Sequence, residues 1–585
     1  MKTIRVHFVR GTLGATFVLS WLTVIAACSH TGGSSSSPLP PPTTTTPGST
    51  TPPPAPVATA TVSNARTKTA TVVARSGEGF LEDVNGARFL HLKGSPHDRG
   101  VEYGELMGDQ IEGIVQALYA YAGQLGGSIP SWLIGVAAPL VPDVVGPIYE
   151  GYFPQETLDV IQGIIEGAAK RNPPIAISKN ELVFVNSLVD LGALVQLPIF
   201  KCSGLAVWGP LAKGGKCYQL RNIDLLVGSG LEAHAVAVIE KPDQGNAFLN
   251  AGWAGMLGST SGMNEHGLAN SQIWAYSRDA AFGQPWVLTN RELLMAAQNV
   301  DAVKSAFASV QRTYGSNFVY ADRGDGRGGI PRGIALESTF ADLAEFTDND
   351  PNEDSAFQGQ PLAIRIPNAV FRGDLALCSR IYARQYDIAK TKDPRTSSAY
   401  QNRYQQQAQM TKDFAAKGIL MGADEMLEIS KTIAMQSCSL QCVVYENTDL
   451  VVHVANSRIV PGAAAVDACN EPFHTFDMDY YLPTASTTLD KPFYAAGGMA
   501  AITVGVTNHG RPRTLDARVT LSGSALVPTV TIPAIAAPTG VNATLMTQLQ
   551  VPPGTRAGTY EVLVELDEAG TSDTVDYSVA TLTVK

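Results

Sequence analysis

A chain of 585 residues is longer than one hydrophobic core can serve, so two or more folded units are expected beyond any leader and linker. Its 53 acidic residues outnumber 42 basic ones, leaving a net charge of −11, and no Lys/Arg block interrupts that balance. These numbers exclude the electrostatic footprint of a nucleic-acid binder.

Met1-Lys2-Thr3-Ile4-Arg5 and Arg10 precede a mostly apolar run from Leu13 to Ala27, the layout of a secretory leader and too short for an ordinary membrane span. Its end, Ile25-Ala26-Ala27-Cys28, resembles a bacterial lipobox. That resemblance implies that Cys28 is the lipidated first residue of an exported protein anchored to the bacterial cell envelope. With Ser29 next, the outer membrane or cell surface is the expected location. Thr31 to Pro56 is almost wholly Gly, Ser, Pro and Thr, which cannot form a core and reads as a tether. The organisation expected is leader 1–28, tether 29–66, an N-terminal segment 67–201, a catalytic segment 202–488 and a C-terminal unit 489–585.

Arg75 to Leu92 reads as short strands with a turn at Asn85-Gly86. Val101, Leu106, Met107, Ile111, Ile114, Val115 and Leu118 then recur at helical spacing, and a second helix covers Leu158 to Ala169. Between them the apolar stretch Ile129 to Tyr152 is broken by four prolines and is expected to shape an acyl pocket. From Cys202 onward the runs turn short and β-rich: Leu205–Trp208, Cys217–Leu220, Ala235–Ile239, Ala247–Ala251, Asn317–Ala321, Ile334–Glu337, Cys442–Tyr445 and Leu450–Val454. Helices are expected over Asn290–Ala297, Val300–Val310, Leu375–Lys390 and Asp424–Ala434. Strand groups alternating with helix pairs predict an α+β fold of packed sheets with helices outside. Beyond Lys491, six alternating runs with no helix predict a β-sandwich of immunoglobulin-like type.

The chemistry centres on Lys201-Cys202-Ser203-Gly204 and Gln219-Leu220-Arg221-Asn222-Ile223-Asp224. If the bond between Lys201 and Cys202 is cut, Cys202 presents a thiol and a free α-amine, a nucleophile with its own general base. Their unperturbed pKa values, about 8.5 and about 7.7–8, make proton transfer between them nearly balanced at neutral pH. The other five cysteines, Cys217, Cys378, Cys438, Cys442 and Cys469, are an odd number, so at least one stays unpaired. Cys438 and Cys442 have no second Cys/His pair at ligand spacing, and the nine histidines include no His-Glu-x-x-His. No metal and no cofactor is expected.

Four motifs occur in order: Gly94-Ser95-Pro96-His97-Asp98-Arg99-Gly100 with Tyr103-Gly104-Glu105-Leu106, the Cys202 segment, Gly262-Met263-Asn264-Glu265-His266-Gly267-Leu268, and Ser316-Asn317-Phe318-Val319-Tyr320-Ala321-Asp322. Together they resemble the C45 peptidase family, autoproteolytic acyltransferases and hydrolases similar to isopenicillin-N/6-aminopenicillanate acyltransferase, over about Gly94 to Asp477. The resemblance implies a four-layer αββα N-terminal-nucleophile hydrolase sandwich, self-cleaved before Cys202 into two chains that stay associated. It implies hydrolysis or transfer on a small-molecule acyl amide through a thioester. Arg221 and Asp224 resemble the arrangement in choloylglycine hydrolases and acid ceramidase, with Asp224 orienting the α-amine and Arg221 supporting the thiolate or the substrate. Asn317 matches the family's oxyanion asparagine and Asn264 is the second choice; Arg380 stands where choloylglycine-type relatives place a second active-site arginine. Lys201 departs from the small or polar residue usual before the nucleophile, and His266 is expected at a turn or on the surface. Gly258-Ser259-Thr260-Ser261-Gly262 has the wrong spacing for a serine hydrolase. The alternative of another class is a non-catalytic surface lipoprotein that binds a ligand.

Overall fold

The computed structural model describes residues 70–125, 140–194, 201–225, 227–275, 277–385, 393–396, 400–523 and 527–585. The expected leader, Cys28, the tether and residues 129–139 of the proline-broken apolar stretch lie outside the described residues.

Chain entry is a meander of three strands, Ala70–Ser76, Gly79–Val84 and Ala87–Gly94. The last two are joined at Asn85-Gly86, both at positive φ (54° and 88°), as a two-residue hairpin loop matched to strand twist requires. These strands start a ten-stranded sheet continued by Ala235–Pro242, Phe248–Trp253, Ser261–Asn264, Ala269–Trp274, Ser316–Asp322, Arg332–Ser338 and Leu343–Phe346. Ala87–Gly94 lies parallel to Ala235–Pro242, because the helices and the second sheet are threaded between them. That second sheet runs in the order Ala369–Arg372, Lys201–Trp208, Cys217–Asp224, Ser439–Glu446, Val451–Asn456, His474–Asp477.

The two sheets face each other. Phe89, Ile239, Leu249 and Met263 of the first share a core with Val443, Tyr445, Val452 and Phe476 of the second. At Gly204 the approach is close enough that a Cβ would sit 3.0 Å from the Ser271 Cβ and 3.1 Å from the Ile273 Cδ1. Helices Pro96–Leu125, Gln155–Lys170, Trp286–Ala296 and Val300–Phe307 pack against the first sheet, with Trp286 and Phe307 on Phe318. Pro96–Leu125 and Gln155–Lys170 touch through glycine: a Cβ on Gly100 would lie 2.2 Å from the Val160 carbonyl oxygen. Helices Gln406–Ala416 and Ala423–Ile433 cover the other side of the second sheet, burying Ala408, Met426 and Ile429 on Leu205, Val207 and Val444. The body is thus mixed helix and sheet, stacked helix, sheet, sheet, helix.

Sequence periodicity passed over the helix Lys179–Leu194, whose Asn186, Ser187 and Asp190 are buried polar residues that break its apolar stripe. The helix expected over Leu375–Lys390 is a single turn, Ser379–Tyr382, within the described part of that range. Its first residues are held extended instead: Glu337 accepts the backbone N–H groups of Leu377 and Cys378.

Seven C-terminal strands make a three-stranded sheet (Pro483–Leu489, Met499–Asn508, Asn542–Gln550) and a four-stranded one (Thr529–Ala537, Arg513–Ser522, Gly558–Glu568, Thr574–Val584). Alternate residues such as Ile502, Val504, Val519, Leu521, Val562 and Val564 point into one shared core. These sheets are fastened to the layered body by buried charge: Asp576 pairs with Lys93 at 2.9 Å and Lys241 at 2.7 Å. The six described cysteines are all free thiols, and among the described residues no cluster of ligating side chains could hold a metal ion.

Candidate active site

Lys201–Trp208 and Cys217–Asp224 form an antiparallel hairpin in which Cys202 is opposite Ile223, Gly204 opposite Arg221 and Lys201 opposite Asp224. Side chains directly opposite share a face, and the faces alternate along a strand. Cys202 and Arg221 therefore fall on one side of the sheet and Asp224 on the other. The Arg221 Nη2 lies 3.8 Å from the Cys202 sulfur, while its Nε and Nη2 donate to the Gln272 carbonyl at 3.2 and 2.9 Å. Trp274 adds a backbone N–H directed at the same sulfur. Sulfur and guanidinium border a cavity walled by Leu188, Trp253, Met256, Trp274 and Tyr314.

The other side of the nucleophile is built from carboxylates. The Cys202 backbone N–H donates to Asp374 Oδ1 at 3.0 Å. Asp374 follows the strand Ala369–Arg372, whose Arg372 is paired with Gly204, so two further residues of the same register bring Asp374 level with Cys202. Its loop is clamped by Asn317, which donates Nδ2 hydrogens to the Gly373 and Leu375 carbonyls at 2.9 and 3.1 Å. Arg403 completes the set, with Nη2 3.0 Å from Asp374 Oδ2 and Nη1 3.9 Å from Asp224 Oδ2. Asp224 Oδ1 accepts the Met435 backbone N–H at 3.0 Å. Arg403 sits on a π-helical turn, Tyr400–Gln405, that leads into Gln406–Ala416.

Burial dominates the electrostatics. It pushes the Cys202 thiol up to about 11, with Arg221 pulling down and Asp374 and Asp224 adding to the rise. Burial also lifts Asp224 to about 7 against the pull of Arg403, and raises Asp374 against Arg403 and its bond from Cys202. Arg221 is lowered by burial. Burial disfavours the charge on Arg403 as well, but Asp374, Asp224 and Cys202 outweigh it and raise its pKa. A thiol in this state is protonated at neutral pH and needs a base beside it to react.

Residues 211–327 match the family model described as acyl-coenzyme A:6-aminopenicillanic acid acyl-transferase. The matched stretch holds Arg221, Asp224, Asn264 and Asn317 and begins after Cys202. An uncharacterized protein of Archaeoglobus fulgidus is 24% identical over 276 residues, 44% of this chain and 45% of that one. The chain spans about half the length of the curated relatives it matches. Among solved structures, an N-acylethanolamine-hydrolyzing acid amidase ortholog of Caenorhabditis elegans is 13% identical, covering 47% of this chain and 99% of that one with a TM-score of 0.30. A mutant conjugated bile acid hydrolase of Clostridium perfringens is 14% identical, covering 48% and 92%, also with a TM-score of 0.30.

Of the residues singled out from sequence, Cys202, Lys201, Arg221, Asp224 and Asn317 converge here. Asn317 stands behind the Asp374 loop with both amide hydrogens engaged. Asn264 is elsewhere, holding a turn: its Oδ1 accepts from His266 and Leu268, and its Nδ2 donates to Leu294 and Ala297. Arg380 is not brought to the cavity; its side chain is 54% exposed and pairs with Asp342. His266 bonds Asp325 at 2.9 Å, clear of the thiol's partners. Asp374 and Arg403 were missed. The first lies in a loop 172 residues from Cys202 in sequence, and the second is one arginine on a polar helical run, so neither carries a local signal.

Proposed function

We propose that the protein is a self-processing hydrolase or acyltransferase of N-terminal-nucleophile type, acting on linear carbon–nitrogen amide bonds through a thioester on Cys202. The observation that carries this is the two-sided grip on Cys202: a cation and an apolar cavity at its sulfur, and a largely buried carboxylate, 9% exposed, on its backbone nitrogen. The family match across Arg221, Asp224 and Asn317 supports the same class of chemistry.

In the uncut chain the Cys202 nitrogen is an amide and cannot act as a base. Attack of the thiol on the Lys201 carbonyl, followed by water, frees that nitrogen as an α-amine next to the sulfur. The amine then takes the thiol proton, Arg221 steadies the thiolate, and the acyl group of a substrate amide moves onto sulfur. Water or an acceptor amine finishes the cycle. The walls of Leu188, Trp253, Trp274 and Tyr314 suit an apolar acyl portion. The leader and lipobox residues up to Cys28 support placing this activity at the cell envelope.

The test is intact mass and N-terminal sequencing of a purified chain starting at Val57, beside Cys202→Ala. Two fragments are expected, the larger beginning Cys-Ser-Gly-Leu-Ala, and none from the variant. A folded wild-type chain that remains uncut would refute the proposal and favour a ligand-binding protein.

A further inference from the structure

We propose that Asp374 is the acid that protonates the Cys202 nitrogen as the Lys201–Cys202 bond breaks. This rests on the self-processing reading above and supplies the step that makes the nitrogen a leaving group.

An amide nitrogen does not depart as an anion; it must gain a proton as the carbon–nitrogen bond stretches. In the uncut chain that nitrogen is planar, has no free lone pair and can only donate, and it donates to Asp374 Oδ1 at 3.0 Å. When Sγ adds to the Lys201 carbonyl carbon, the nitrogen turns pyramidal and basic in place. The group already within hydrogen-bond reach of it is this carboxyl. No other side chain bonds the Cys202 nitrogen among the described residues.

The surroundings fit an acid held in one orientation. Asn317 fixes the carbonyls on either side of Asp374, and Arg403 engages the far oxygen, so Oδ1 is the one left facing the nitrogen. The charged groups around it are Arg403, Lys201 and the Cys202 thiol, with Asp224 beyond Arg403. Burial outweighs the cations and lifts the carboxyl, so it takes up a proton more readily than an exposed aspartate. Asp224, expected from sequence to orient the new amine, accepts from Met435 through Oδ1 and keeps Oδ2 3.9 Å from Arg403.

The step balances. Sγ bonds the Lys201 carbon and the carbon–nitrogen bond breaks; the thiol proton passes to the Asp374 carboxylate, whose charge acts on that thiol, and from Oδ1 to the nitrogen, leaving a neutral amine. Asp374 ends the step as the carboxylate it began as. A water molecule then opens the thioester, restoring the thiol and leaving Lys201 as a carboxylate terminus.

The experiment follows self-cleavage by intact mass after cell-free synthesis, for wild type, Asp374→Asn, Asp374→Glu and Cys202→Ala, with and without hydroxylamine. Asp374→Asn should cut at least about 100-fold more slowly, the low end for loss of a general acid. Hydroxylamine, which traps thioesters, should not speed it, because the carbon–nitrogen bond has not broken. Asp374→Glu, which keeps a carboxyl, should recover part of the rate. Wild-type cleavage in Asp374→Asn, or its prompt cleavage by hydroxylamine, overturns the proposal. So do equal rates for the Asn and Glu variants when near-UV circular dichroism shows both folded like the wild type; if the Asn variant is misfolded, a folded Asp374→Glu variant that cuts no faster than Cys202→Ala overturns it. A wild-type chain that never cuts removes the self-processing reading itself, a different result from a cut that ignores Asp374.

Discussion

Arg221 and Cys202 approach to 3.8 Å because the hairpin places them diagonally on one face, with Gly204 between them. Two hydrogen bonds to the Gln272 carbonyl aim the guanidinium, so its position does not depend on the sulfur. Arg221→Lys keeps the charge but loses the fork that holds it in place. The thiol, already lifted to about 11, should rise further. At pH 8 the iodoacetamide alkylation rate at Cys202, followed by peptide mass, should fall about tenfold, the consequence of one pKa unit. An unchanged rate would show that the arginine does not act on the sulfur.

Asn317→Ala should slow self-cleavage and lower stability together. It removes both donors to the Gly373 and Leu375 carbonyls, and each buried acceptor left unsatisfied costs about 1–3 kcal/mol. Urea midpoints and cleavage rates measured on the same samples check this. Loss of rate with unchanged stability would favour the oxyanion role expected from sequence over the clamp seen at this loop.

Sequence reading reached the parts of this architecture with a short-range signature. The Asn85-Gly86 turn, the helix around Met107 and Ile111, and the strand over Leu205–Trp208, which the structure extends back to Lys201, each follow from spacing or turn chemistry within a dozen residues. Asp374 and Arg403 join the site through strand register and a π-helical turn, which only the assembled sheet and its helix create. Asn264 and Arg380 illustrate the reverse: suitable residue types in suggestive motifs, with their polar atoms engaged by a turn and a surface carboxylate.

Asp576→Asn should loosen the C-terminal sheets. Asp576 is buried and neutralises Lys93 and Lys241, which stand on neighbouring parallel strands of the ten-stranded sheet. Removing one partner of a buried ion pair typically costs about 3–5 kcal/mol, because the charge left behind is not hydrated. Glu78 at 3.1 Å still serves Lys93, so Lys241 bears most of the loss. Limited proteolysis between residues 483 and 499 should accelerate, and the melting temperature should drop. A variant that melts and resists protease like the wild type would show that the apolar contacts between the units suffice.

Asp190→Asn should stabilise the protein in alkaline solution. Asp190 Oδ1 accepts from the Thr313 hydroxyl at 2.7 Å and the Trp286 N–H at 3.4 Å, while Oδ2 has no hydrogen-bond partner among the described residues. Burial lifts this carboxyl from 3.8 to about 7 despite those two bonds. The folded state therefore holds a proton that the unfolded chain has released, and stability falls as pH rises from about 4 to about 7, then levels off. Three pKa units correspond to about 4 kcal/mol at most. The amide is neutral throughout and keeps an acceptor for Thr313 and Trp286. Urea midpoints at pH 5 and pH 8, taken on the Cys202→Ala background to keep the chain intact, should differ less for Asp190→Asn than for its parent. Equal losses in the two proteins would place the proton elsewhere, with Asp224 and Glu102, also lifted by burial, as the next groups to replace.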